Sequence, residues 1–128
     1  MKISVLLSVN AAIAMAFGVG FTLAPGAVLA PYGVSLSDAG LLMCRLFGAS
    51  LVGYGILTWQ LRNLREEAPL RSLATALAVS DALGALVAVW GTATGVVNGL
   101  GWTTVAIYAL LGAGFANFAL RKPAPATA

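Results

Sequence analysis

Two charged side chains stand inside long apolar runs of this 128-residue sequence, Arg45 and Asp81. Met43, Cys44, Leu46 and Phe47 surround the first; Val79, Ala82 and Leu83 surround the second. A charge left alone in hydrocarbon costs about 2.5–3.5 kcal/mol on insertion scales, so such residues pair or serve a function. At about 1.5 Å of rise per helical residue, Arg45 lies about 9 Å and Asp81 about 13 Å below the same end of their segments. An arginine side chain spans that difference, which predicts an Arg45–Asp81 ion pair between the second and third apolar segments. Its first meaning is structural, fixing helix orientation and register. Its second is a polar site for a substrate, a quinone head group or a proton.

The remaining polar candidates are weaker. Asn10 and Tyr54 are placed to hydrogen-bond across segments, and Asn117 lies near the end of the last one. Side chains of this kind commonly join helices. The Gly95–Gly101 stretch has Gly-x3-Gly-x-Gly spacing, but lacks the strand, helix and lysine of a phosphate loop. It reads as a turn.

The sequence contains no histidine and one cysteine, Cys44. That excludes bis-histidine haem, histidine-ligated chlorophyll, histidine-rich metal sites and a Ser–His–Asp nucleophile. One cysteine supports neither an intramolecular disulfide nor a CxxC centre; Cys44 reads as a packing residue. No catalytic, cofactor-binding or metal-ligating residue is expected, although bound lipid or quinone is left open.

Composition determines what must carry these residues. Hydrophobic residues make up 60%, charged residues 9%, and mean hydropathy is +0.95. A soluble domain is about 45–50% apolar and about 25% charged. The fold class expected is therefore an all-α membrane protein, a four-transmembrane-helix up-down-up-down bundle in one domain, residues 1–122. The spans are 3–23, 39–61, 70–90 and 102–120, each near the roughly 20 residues that cross a hydrocarbon core. Residues 123–128 form an Ala/Pro tail expected to be flexible. A signal-peptide reading of the first run competes, but the run is long for a signal core.

The charges orient the bundle. Lys2, Arg62, Arg65, Arg71, Arg121 and Lys122 all fall on one side after four crossings, whereas links 24–38 and 91–101 carry no Lys or Arg. The positive-inside rule puts both termini and the middle link in the cytoplasm. Tyr32, Trp59, Trp90 and Trp102 fall at segment ends, where aromatic belts anchor helices at the interface. The net charge of +3 is accounted for by this flanking pattern. Without a basic stripe with interleaved aromatics, nucleic acid is not an expected partner.

Fifteen glycines, together with Ala49–Gly53 and Gly84–Ala88 spacings, indicate closely packed helices. The stretch from Cys44 to Ser50, the Gly53–Trp59 run and the Asn98–Val105 run resemble small bacterial membrane proteins of the DoxX-like or DUF4345-like kind. The resemblance implies a four-helix fold and transfers no catalytic residue. Some DoxX relatives are linked to quinone-dependent redox enzymes. The leading expectation for function is a non-enzymatic accessory subunit, packed beside a larger respiratory or photosynthetic complex or self-associated. The alternatives are a small transporter or channel, or a quinone-contacting subunit of a membrane oxidoreductase.

Overall fold

The computed structural model describes residues 2–122; the Ala/Pro tail lies outside them. The described residues are all-helical, with α1 Ile3–Leu23, α2 Pro25–Leu29, α3 Asp38–Leu61, α4 Glu67–Ala93 and α5 Gly101–Leu120. α1, α3, α4 and α5 are long and apolar enough to cross a membrane. α4 extends three residues beyond the expected span at each end. Pro69 is the third residue of α4, where its missing N–H has no intrahelical partner to lose.

The first link folds more than its sequence suggested. Ala24 breaks α1, Pro25 opens the one-turn α2, and a 3-10 turn, Ala30–Tyr32, follows. Gly33 then reverses the chain at φ 73°, a left-handed conformation that costs glycine little. Ser37 caps α3, its hydroxyl accepting from the Gly40 N–H at 3.2 Å.

The long helices pack as two pairs, α1 with α3 and α4 with α5, and within each pair the contacts run in opposite sequence order, Gly18 on Val52 and Met15 on Gly55, Gly84 on Tyr108 and Asp81 on Gly112. α3 and α4 are consecutive in sequence but do not pack along their lengths. Small residues explain the pairing. At Gly48 of α3 an added Cβ would lie 2.7 Å from the Thr22 nitrogen and 2.8 Å from the Gly18 oxygen of α1. At Gly84 of α4 it would lie 2.5 Å from the Tyr108 ring of α5. Backbones approach this closely only where no side chain intervenes.

The two pairs meet at both ends. At one end Leu6 and Leu7 of α1, Leu70, Ala74 and Leu77 of α4, and Leu111 and Phe115 of α5 form a buried cluster. At the other, the two links touch: the Asn98 N–H donates to the Tyr32 carbonyl (3.0 Å), and Asn98 Nδ2 donates to the Pro31 carbonyl (2.9 Å). Arg71 of α4 closes the α4–α5 pair by donating to the Ala119 carbonyl at 2.6 Å and to the Arg121 carbonyl. A cation there offsets the negative end of α5.

Gly48→Ala should therefore destabilise the protein by about 1–3 kcal/mol, because the clash is with backbone. At Gly53 a Cβ meets nothing within 4 Å, and Gly53→Ala should change stability by less than about 1 kcal/mol. Reversible unfolding in mixed detergent micelles measures both; equal effects would contradict the α1–α3 packing.

Candidate functional site

Between the two helix pairs lies a cavity of about 820 Å³. Its back wall comes from Asn10, Ile13, Ala14, Phe17 and Phe21 of α1 and from Ile107, Tyr108 and Leu111 of α5, all buried or half-buried. Its front edges come from Phe47 and Ser50 of α3 and from Ser80, Leu83, Val87 and Trp90 of α4, all exposed. The mouth is thus the gap between α3 and α4. The leucine and phenylalanine cluster lies beneath it, and Tyr32 and Gly101 line its other end.

The wall is mainly apolar and aromatic. Phe21 lies 5.8 Å from Phe17 and 5.9 Å from Phe47, centroid to centroid, with tilted rings at the separation of favourable aromatic pairs. Asn10 and Tyr54 exchange hydrogen bonds across α1 and α3: Asn10 Nδ2 donates to Tyr54 Oη at 3.0 Å, and Tyr54 Oη donates to Asn10 Oδ1 at 3.2 Å. Asp81 is 4% exposed, packs its Cβ over Gly112 and lines the same cavity. Its Oδ2 has no hydrogen-bond partner among the described residues.

The expected Arg45–Asp81 ion pair is not formed. Arg71–Glu67, at 2.7 Å, is the ion pair found among the described residues. Two features separate the expected partners. The helices that carry them stand apart, and Arg45 is on the wrong side of α3. Nine residues from Arg45 to cavity-lining Tyr54 make about two and a half helical turns, so the two point in opposite directions. Arg45 is exposed. Matching depth along the helix was correct arithmetic but did not fix the rotation of α3 about its axis.

Asn117 makes no side-chain hydrogen bond among the described residues and is exposed. It sits two residues beyond Phe115, the fully buried core side of α5, and about 200° around the helix from it. The aromatic residues at segment ends take different surroundings. Trp102 is exposed, and Trp59 carries the Arg62 guanidinium 3.6 Å above its ring. Trp90 lines the cavity mouth. Tyr32 joins the link latch, its hydroxyl 3.4 Å from Thr104 Oγ1. Cys44 is half-buried and free.

Tyr108, Phe17, Phe21 and Phe47 were missed as site residues. Phe17 and Phe21, spaced four apart, share one face of α1, and Tyr108 lies opposite the Gly84 gap. Both signals are present in the sequence, but they gain meaning only once the helix partners are known. No group of His, Cys, Asp and Glu that could hold a metal ion occurs among the described residues.

No family model, curated protein or solved structure matches the chain.

Tyr54→Phe removes the exchange with Asn10 and leaves the ring in place. Interhelical hydrogen bonds of this type average about 0.6 kcal/mol with a maximum near 1.7. A loss in that range, measured by unfolding in micelles, is expected; a loss of several kcal/mol would show that the hydroxyl does more than join two helices.

Proposed function

We propose that the chain is a multi-pass membrane protein that binds a small, largely apolar molecule in the cavity between its two helix pairs. The cavity carries this reading. Its volume of about 820 Å³ falls within the roughly 300–1,000 Å³ of small-molecule sites. Its wall also has the composition of such sites, an apolar and aromatic lining with a few convergent polar groups. A mouth edged by Leu83, Val87 and Trp90 faces sideways, where the hydrocarbon core would be. This supports lipid- or quinone-type ligands over water-soluble substrates. A subunit role would draw on the same exposed apolar faces that contact lipid, whereas the cavity supports ligand binding in particular.

The bundle runs up-down-up-down in a bacterial inner membrane, with both termini in the cytoplasm. The antiparallel packing within each pair supports this course, as do the two Lys- and Arg-free links, which touch each other at one end. The six flanking cations gather at the opposite end, which the positive-inside rule assigns to the cytoplasm.

Native mass spectrometry of gently extracted protein should show an added small-molecule mass. Ser50→Trp, at the exposed mouth, should remove that mass while the helical content measured by circular dichroism stays that of the wild type. An added mass equally present in the variant would place binding elsewhere. For orientation, in a Cys44→Ala background, Ser35→Cys should react with a membrane-impermeant maleimide on intact spheroplasts, whereas Asn63→Cys should react only after permeabilisation. The reverse pattern would invert the bundle.

A further inference from the structure

We infer that the cavity takes a lipophilic cation, with Asp81 as its counter-ion. This rests on the cavity being a ligand site and names the class of ligand it holds. Asp81 is the one acidic or basic residue in the wall, buried to 4% exposure, with Oδ2 unpartnered. Among the described residues, no cation pairs with it. Arg45 points away from the cavity on α3, and Arg71, ten residues earlier on α4, is held by Glu67 and by the carbonyl groups at the end of α5. The other buried polar pair, Asn10 and Tyr54, satisfies itself. Asp81 is thus the charged group left for a ligand to complement.

The rest of the wall suits the same class. Phe17, Phe21 and Phe47 cluster beside the carboxyl-bearing chamber, and Tyr108 and Trp90 add further rings. Aromatic faces attract cations, most strongly where water is excluded. An anionic amphiphile would meet the Asp81 carboxylate with like charge. A neutral molecule would gain the apolar wall but not the ion pair. Intramembrane acids commonly act as counter-ions of this kind.

The full-length protein in detergent is titrated with tetraphenylphosphonium and with triphenylmethanol, a neutral molecule with three of the same rings. The wild type should bind both. Asp81→Asn, which preserves shape, should keep triphenylmethanol and weaken tetraphenylphosphonium at least about tenfold, the loss expected when one member of a buried charge pair is removed. Binding of the alcohol but not the cation by the wild type, or equal cation affinity in the variant, would overturn the inference and leave the cavity reading standing. Binding of neither would overturn both. Should Asp81→Asn fail to fold, dicyclohexylcarbodiimide labelling of wild-type Asp81, located by peptide mass, replaces it. Protection by tetraphenylphosphonium supports the counter-ion role, and labelling unaffected by it rejects that role.

Discussion

In a bilayer, apolar side chains gain little by leaving lipid for protein, so helices hold together where their backbones can come close. Here that closeness is concentrated at Gly48 against Gly18 and Thr22, and at Gly84 and Gly112 against Tyr108 and Asp81. The small residues are used within the α1–α3 and α4–α5 pairs. Between the pairs, large side chains stand among the facing residues: Phe17, Phe21 and Phe47 on one side, Leu83, Val87 and Tyr108 on the other. Bulky walls with no matching grooves leave space, and that space is the cavity. The same glycines that tighten each pair thus account for the gap between them.

Asp81 sits at the junction of these two regimes. Gly112 gives its Cβ room against α5, so the carboxyl is drawn into the bundle rather than out to lipid. Three residues along, Gly84 accommodates the Tyr108 ring on the same helix interface. The polar and aromatic parts of the wall are therefore fixed by one packing surface, α4 on α5. Asn10 and Tyr54 belong to the other surface, α1 on α3. The site is assembled from two preformed halves.

The four long helices were legible because hydropathy over about 20 residues is a sum, and sums tolerate local exceptions. Asn10 and Tyr54 were legible as a contact because both polar groups needed a partner in the same half of neighbouring helices. The Arg45–Asp81 pair failed for a different reason. Depth is a one-dimensional quantity read directly from residue counts, whereas contact also depends on which helices neighbour each other and how each is rotated. A short link such as 62–66 keeps helix ends close without making their faces pack. Small-residue spacing marked Gly84 as a contact but could not name Tyr108 as what it touches, and it marked Ala49 and Gly53, which are exposed, where Gly48 makes the close approach. The cavity was illegible for the same reason, since it is a property of pairs that do not pack.

For a ligand of the proposed kind, the sideways mouth between α3 and α4 would also determine which concentration matters. A lipophilic molecule partitions into the membrane before it meets the protein, and its mole fraction there exceeds its level in water by its partition coefficient. Occupancy then reflects the membrane pool, so even a site of modest intrinsic affinity fills when the aqueous phase holds very little. Encounter becomes a search in two dimensions, governed by lateral diffusion and by how the bilayer orients the molecule as it reaches Phe47 and Trp90 at the entrance.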